Sequence, residues 1–262
     1  DEAGLRIDAL LATGSGRTML SLARTVASAT RGPLVLGASN PVRAFDLAVE
    51  SLTGRPVFSN RGQAGIDGTI ATAVGIAAGL GNARIGVPTG LGGARIAVPT
   101  GLSNARIAVP TGLGSARIAT PDRAGEPRDD ARGRAQASRV TAVMGDLTLC
   151  HDASSLALAA ATGAELDIIV ADDEGGGIFA TLEHGRAATP QTYDRWFGVA
   201  QAVNYEALAA AYGVGFARAY APSELASILC APVTGPRLIH APVKRAAHLY
   251  AQARNALCEA GF

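Results

Sequence analysis

The chain has 262 residues, of which 48% are hydrophobic and 17% charged, a composition typical of one globular domain or of one domain with an insertion. Its 23 basic and 22 acidic side chains give a formal net charge of +1, which argues against nucleic-acid binding through a basic face. Cys150, Cys230 and Cys258 are far apart and form no CxxC pair, which argues against a disulfide scaffold or a zinc site and predicts a cytoplasmic protein. No apolar run approaches the ~20 residues of a membrane helix.

Strand-sized apolar runs and helical patterns alternate along most of the chain. Helices are predicted at 17–29, 149–162 and 204–212 and after the caps Asp67 and Ser223, and strands at 33–37, 56–58, 140–144, 166–171 and 238–239. Strands that alternate with helices form parallel sheets covered on both faces, because a parallel connection needs a crossover. The sequence therefore predicts an α/β fold with a doubly wound, mostly parallel sheet.

An 11-residue unit occurs four times between residues 79 and 122, as GLGNARIGVPT, GLGGARIAVPT, GLSNARIAVPT and GLGSARIATPD. A small β-solenoid and a duplicated surface loop are both compatible with such units. We interpret 80–138 as a low-complexity insertion in a domain that spans 31–262 and follows a linker and lead-in helix at 1–30. Because the chain begins with Asp1 and not Met, we expect it to be a piece of a longer protein.

Acidic residues follow two consecutive long strands of the predicted sheet. Asp146 comes directly after the strand at 140–144, and Asp173 follows the strand at 166–171. Their 27-position separation fits one βαβ unit, which places both side chains at the carboxyl edge, where such sheets bind ligands. With the Gly175 carbonyl they make three oxygen ligands for Mg²⁺, and diphosphate oxygens and a water complete the set. The alternative is that both aspartates cap the helices that follow them.

The pairing of Gly145-Asp146 with Asp172-Asp173 resembles the signature of the thiamine-diphosphate enzymes. Further strings narrow the resemblance: GASNPVR at 37–43, SNRGQAGIDG at 59–68, GDLTLCHD at 145–152, GGGIF at 175–179 and DRWFG at 194–198. Together they are similar to the C-terminal domain of the 2-succinyl-5-enolpyruvyl-6-hydroxy-3-cyclohexene-1-carboxylate synthases of menaquinone biosynthesis (the MenD family). The resemblance runs from about residue 31 to the end, apart from roughly 80–138.

The resemblance implies a thiamine-diphosphate-binding fold and a transferase that condenses decarboxylated 2-oxoglutarate with isochorismate. It implies that Asp146, Asp173 and the Gly175 carbonyl bind Mg²⁺ or Mn²⁺. The cofactor-binding residues that it implies are Ile66, Gly145, Asp146, Leu147, Asp173, Gly175, Gly176, Ile178 and Phe179. It implies that Ile66 lies under the thiazolium ring as a catalytic residue. It further implies that the substrate-binding residues are Ser39, Arg43, Arg61 and Ile178, and that Arg43 and Arg61 are also catalytic.

Two features depart from the family's pattern. Asp172 and Asp173 stand where the family has asparagines, and the added negative charge is expected to weaken binding of a diphosphate. In the family an activating glutamate comes from a partner subunit, and no segment here supplies it, so we expect a homo-oligomer and an incomplete active site in this chain. Two alternatives stay open: another thiamine-diphosphate 2-keto-acid decarboxylase or synthase, and a non-catalytic remnant of such an enzyme.

Overall fold

The computed structural model describes residues 9, 16–62, 65–80, 139–232 and 234–259 of the chain. The predicted insertion at 80–138 lies outside these residues, apart from Leu80. Within the described part, no helix combines the length and the apolar character needed to cross a membrane.

Within the described ranges six strands form one sheet, and each pairing between them is parallel. They are β1 (Leu34–Leu36), β2 (Val57–Phe58), β3 (Val140–Gly145), β4 (Leu166–Asp172), β5 (Gly215–Arg218) and β6 (Pro236–Pro242), in the spatial order β2-β1-β3-β4-β6-β5. The predicted α/β fold with a mostly parallel sheet is confirmed. Strand β5 escapes prediction because it is a short edge strand with one large apolar side chain, Phe216.

The described residues also form helices on both sides of this sheet. These are α1 (Met19–Ala29), α2 (Asn40–Ala48), α3 (Thr69–Gly79), α4 (Asp146–Asp152), α5 (Ser155–Thr162), a 3-10 helix (Gly177–Thr181), α6 (Glu183–Ala187), α7 (Pro190–Tyr193), a π-helical turn (Asp194–Gly198), α8 (Tyr205–Tyr212), α9 (Pro222–Cys230) and α10 (Ala247–Glu259). The single helix predicted at 149–162 is wrong, because α4 begins directly at the end of β3 and a turn at 153–154 separates it from α5.

Two predicted helix caps are also wrong. Asp67 is exposed, and the residue before α3 is Gly68 in the left-handed conformation (φ 68°). The N–H groups of Ile70 and Ala71 instead donate to a carboxylate oxygen of Asp152 from the end of α4, at 2.5 and 3.3 Å. This contact between distant parts of the chain has no local sequence signal.

Helix α9 begins one residue earlier than the predicted cap at Ser223. Pro222 occupies its first turn, a position that proline favours because the first N–H groups of a helix have no partner within the helix. Ser223 therefore lies inside the helix, and the Glu224 carboxylate accepts the N–H of Tyr220 at 2.7 Å.

We predict that Asp152→Ala lowers the free energy of unfolding by about 1–2 kcal/mol, because two N–H groups at the start of α3 lose their acceptor. The exposed Asp67→Ala is the matched control, with an expected change below about 0.5 kcal/mol. Urea denaturation of the three proteins measures both effects. Equal destabilisation by the two substitutions would contradict the assignment of Asp152 as the cap.

The sheet separates two apolar layers. Helices α1, α2, α9 and α10 pack on one face, and α3, α4, α5 and α8 pack on the other. The strand β4 contributes to both layers, since the fully buried Ile169 lies in the first and the fully buried Ile168 in the second. Burial on both faces explains why the long strands are continuous apolar runs.

The direction of the strand order reverses between β1 and β3. From β1 the chain continues to β2 on one side, whereas from β3 it continues to β4 on the other side. Leu36 at the end of β1 is in register with Val143, and Gly145 at the end of β3 is in register with Ala171. Open α/β sheets bind ligands at the carboxyl ends of strands at such a reversal.

Candidate functional site

A cavity of about 160 Å³ lies at the carboxyl ends of β1, β3 and β4. Its wall contains ten of the residues predicted from the sequence: Ser39, Ile66, Gly145, Asp146, Leu147, Asp173, Gly175, Gly176, Ile178 and Phe179. These residues come from four separate stretches of the chain, so their convergence is a property of the fold. Asp146 and Asp173, which were expected at one edge of the sheet, both lie on the wall of this cavity.

Asp146 is the first residue of α4 and is only 1% exposed. Its Oδ1 accepts the N–H of Leu147 at 2.8 Å, whereas its Oδ2 has no hydrogen-bond partner among the described residues. Burial raises the pKa of this carboxyl to about 6, against the opposing effect of the N–H groups of Leu147 and Gly175. A buried carboxylate oxygen without a partner is costly unless a cation or a proton satisfies it.

Asp173 follows β4 and lies on the same cavity wall. Burial and the nearby charge of Asp146 raise its pKa to about 7, against the opposing effects of Arg245 and Asn40, which favour the charged form. Because the charge of Asp146 raises the pKa of Asp173, the two carboxyl groups lie within electrostatic reach of each other. A divalent cation between them would remove the repulsion.

The turn that connects Asp173 to the 3-10 helix depends on its glycines. Glu174 and Gly175 both have positive φ values, of 61° and 121°. A Cβ atom on Gly175 would overlap the Gly198 carbonyl oxygen, and one on Gly176 would overlap the Phe197 carbonyl oxygen. The Gly176 N–H donates to the Gly198 carbonyl at 2.6 Å. The turn is therefore packed directly against the backbone at 197–198.

We predict that Gly175→Ala destabilises the protein by about 2 kcal/mol, because the new side chain meets both an unfavourable φ and a backbone oxygen. Gly79→Ala is the control, since a Cβ there meets no atom of the described residues within 4 Å and φ is not positive. Thermal unfolding followed by circular dichroism compares the two. A smaller loss for Gly175→Ala than for Gly79→Ala would show that the turn is not constrained as described.

Arg245 and Tyr193 hold the same turn from outside. The Arg245 side chain donates to the carbonyl oxygens of Asp173, at 2.7 Å, and of Glu174. The Tyr193 hydroxyl donates to the Gly176 carbonyl at 2.9 Å. The Gly175 carbonyl oxygen accepts one hydrogen bond, from the Gly177 N–H at 3.0 Å. A carbonyl oxygen has two lone pairs, so Gly175 keeps one for another ligand.

The neighbouring Asp172 has a different environment. Its Oδ2 is 2.9 Å from Nε2 of His240, and its Oδ1 accepts the N–H of Glu174 at 3.0 Å. Burial alone would raise its pKa, but the hydrogen bonds from His240 and Glu174 outweigh this and hold the pKa below its usual value. Asp172 does not belong to the cavity wall. Asp172 therefore keeps its negative charge, and this charge raises the pKa of both Asp146 and Asp173.

Neither predicted arginine lies on the cavity wall. Arg43 is half-buried in α2 and donates to the carbonyl of Ser39 at 3.0 Å, one turn behind the wall. Arg61 is exposed on the loop after β2. Their roles toward a substrate stay predictions.

Other residues of the wall were not predicted: Met19, Asn40, Pro41, Thr148 and Gly177. Asn40 is the most informative, because its side chain favours the charged form of Asp173. Its place in the string at 37–43, directly after β1, is a signal that could have identified it. Met19 has no such signal, since it reaches the wall from the start of α1.

The donor set suits a hard divalent cation. Among the described residues, no group of three or more His, Cys, Asp or Glu side chains is arranged as a metal site. Two carboxylates and a carbonyl are the ligand types that Mg²⁺ prefers, with further positions left to a phosphate or water. The partnerless Oδ2 of Asp146 fits this role.

Comparison with known proteins identifies the family. Residues 93–241, more than half of the chain, match the model of the thiamine pyrophosphate enzyme C-terminal TPP binding domain. The chain belongs to this family. The matched residues include Asp146 and the whole turn from Asp172 to Gly177, so the cavity described above lies largely in the family's thiamine-pyrophosphate-binding domain.

Two curated relatives carry the same name. The chain is 33% identical over 246 residues to the 2-succinyl-5-enolpyruvyl-6-hydroxy-3-cyclohexene-1-carboxylate synthase of Nocardioides sp., which covers 92% of this chain and 36% of the relative. It is 35% identical over 218 residues to the enzyme of the same name from Corynebacterium diphtheriae. That alignment covers 82% of this chain and 33% of the relative. The predicted resemblance to the C-terminal domain of the MenD family is confirmed. The chain spans about a third of the length of these relatives.

A solved structure supports the fold. The benzoylformate decarboxylase from Polynucleobacter necessarius superposes with a TM-score of 0.57 over 87% of this chain and 33% of that chain, at 13% identity. An identity this low is informative about the fold alone.

Proposed function

We propose that this chain binds the diphosphate of thiamine diphosphate through a divalent cation, Mg²⁺ or Mn²⁺. Asp146, Asp173 and the carbonyl oxygen of Gly175 are the proposed ligands. The observation that carries the proposal is the buried, partnerless Oδ2 of Asp146 beside Asp173 at the strand reversal. Gly145, Leu147 and Gly176 complete the proposed cofactor contacts on the same wall.

The apolar side chains of the cavity suit the organic part of the cofactor. Ile66, Ile178 and Phe179 lie on the wall, and the Phe179 ring packs against the Phe197 ring with centroids 5.6 Å apart. An apolar wall excludes water and holds a ring system in one orientation. We assign Ile66 to the contact beneath the thiazolium ring.

We further propose that the whole protein condenses decarboxylated 2-oxoglutarate with isochorismate in menaquinone biosynthesis. Bound thiamine diphosphate supplies the electron sink for the decarboxylation, and the protein supplies orientation and electrostatics. Ser39, on the wall, and the guanidinium groups of Arg43 and Arg61 are proposed to bind substrate carboxylates, for which the two-pronged donor geometry of arginine is suited. The proposal is supported by the names of the curated relatives.

A second candidate is another thiamine-diphosphate reaction on a 2-keto acid with fewer carboxylates. The observation that favours it is the position of Arg43 behind the cavity wall and of Arg61 on an exposed loop. In either case we propose that a second subunit of the same protein supplies the activating glutamate. Cytoplasmic location is proposed from the three cysteines, which are all free.

Two measurements test these proposals. Isothermal titration of thiamine diphosphate into the full chain, with Mg²⁺, with Mn²⁺ and with EDTA, tests the cofactor site, and binding that persists in EDTA would contradict it. The full product of the gene is then assayed for CO₂ release from 2-oxoglutarate with and without isochorismate, with pyruvate and benzoylformate as comparison substrates. Condensation that needs isochorismate supports the first candidate, whereas turnover of a monocarboxylic keto acid supports the second.

A further inference from the structure

A chain of three side chains reaches the metal-ligand turn from the side of β5 and β6. The Arg218 Nε–H donates to Nδ1 of His240 at 3.2 Å, and Nε2 of His240 is 2.9 Å from Oδ2 of Asp172. His240 is 9% exposed, and the Tyr205 ring stacks on it with centroids 4.1 Å apart and an interplanar angle of 18°. The proposed function uses none of these side chains.

The partners of His240 determine where its proton lies. An arginine is always protonated and can only donate, so Nδ1 must be the acceptor. Nε2 then carries the hydrogen and donates it to Asp172. The ring is neutral, and its orientation is fixed by two hydrogen bonds and one stacking contact.

Asp172 transmits this orientation to the turn. Its second oxygen, Oδ1, accepts the N–H of Glu174, a local bond of the kind that allows a short segment to turn sharply. Glu174 has a φ of 61°, which for a residue with a Cβ costs about 1 kcal/mol or more. The proposed ligands Asp173 and Gly175 are the two residues on either side of Glu174, so their directions depend on this bond.

We infer that His240 is a positioning residue for the metal ligands: by holding Asp172, it fixes the backbone turn that presents Asp173 and the Gly175 carbonyl to the cavity. Arg218 fixes the tautomer that allows His240 to do so. The expected effect of His240 on cofactor binding rests on the proposed function, whereas its effect on the turn does not require any cofactor.

The first test measures amide hydrogen exchange of residues 172–177 in the full chain without cofactor. His240→Phe keeps the aromatic stacking and removes both hydrogen bonds, so exchange is expected to accelerate about 10-fold. His240→Gln retains an acceptor for Arg218 and a donor for Asp172 and is expected to stay within about 3-fold of the native rate. Arg218→Leu leaves the histidine in place and is expected to be intermediate. Equal exchange in all four proteins overturns the inference.

The second test measures the affinity of the same proteins for thiamine diphosphate at saturating Mg²⁺. Loss of a side chain that orients a metal ligand typically costs 10–100-fold, so His240→Phe is expected to bind about 10-fold more weakly and His240→Gln close to native. His248→Phe, an exposed substitution on α10, is the control and should change neither measurement.

The outcomes separate the two proposals. If the native chain does not bind the cofactor, the proposed function fails, and the exchange rates alone decide whether His240 holds the turn. If the native chain binds it and His240→Phe binds equally well, the positioning role is overturned. Loss of thermal stability in both His240 variants, without a difference between them in exchange or affinity, also overturns it, because that pattern describes a purely structural histidine.

Discussion

Replacing Asp146 by alanine is expected to weaken Mg²⁺-dependent binding of thiamine diphosphate by about 100-fold or more. The substitution removes a proposed metal ligand outright, and even the loss of a residue that only orients a ligand costs 10–100-fold. The fold should survive, because the side chain makes one hydrogen bond, to the Leu147 N–H, and its other oxygen has no partner among the described residues. Titration calorimetry at fixed Mg²⁺ measures the change in affinity.

The matched control is Glu174→Gln. Glu174 carries a carboxylate in the same turn, but its side chain is exposed and is not part of the cavity wall. We expect its removal to change the affinity by less than about 3-fold, the size of a screened surface charge effect. A similar loss in both variants would mean that the site attracts the cofactor by general charge and not through coordination by Asp146.

The second large effect is a pH dependence of opposite sign for stability and for ion binding. The folded pKa values of Asp146 and Asp173, about 6 and about 7, lie above the ordinary value near 3.8. The folded state therefore binds protons more tightly than the unfolded state. The contribution of these two carboxyl groups to folding stability is fully present below pH 4 and is lost as the pH rises toward 7. For Asp146 alone the loss amounts to about 3 kcal/mol. Metal affinity runs the other way, because the ion competes with these protons.

Asp146→Asn separates the two effects. An amide of the same shape carries no charge, so the variant without metal is expected to be more stable than the native chain at pH 8 and equal to it at pH 4. Urea denaturation across this range, in EDTA, gives the comparison. The native chain should recover stability at pH 8 when Mg²⁺ is added, whereas the variant should not. A native chain that loses no stability relative to Asp146→Asn between pH 4 and pH 8 in EDTA would refute the burial of a destabilising carboxylate at position 146.

Much of this site follows from local sequence features. An aspartate directly after each of two buried strands, one βαβ unit apart, must reach the same edge of a parallel sheet, and the structure brings Asp146 and Asp173 to one cavity. Gly175 and Gly176 were also identified, and the turn needs a positive φ at Gly175 and a close approach of other backbone at both.

The features that escaped prediction depend on contacts between distant parts of the chain. Asp152 caps α3 from 82 positions away, and the His240 bond to Asp172 spans 68 positions. Neither pair has a spacing that a helical or strand period would reveal. The contact of Arg43 with the Ser39 carbonyl was not predicted either, and the role of Arg43 toward a substrate stays a prediction. The direction of a side chain on a helix depends on the residue at which the helix begins, and the sequence did not specify that residue for α2.

The close approach of Gly175 to the carbonyl of Gly198 has a consequence for any attempt to alter substrate preference. The segment between these glycines carries Ile178 and Phe179, the side chains that a protein engineer would exchange first. Its two ends are joined by the Gly176 N–H bond to Gly198, so lengthening or shortening it displaces the proposed ion ligands as well. Exchanging side chains within a segment of unchanged length therefore leaves the proposed ligands in place, whereas a change of its length is expected to disturb them.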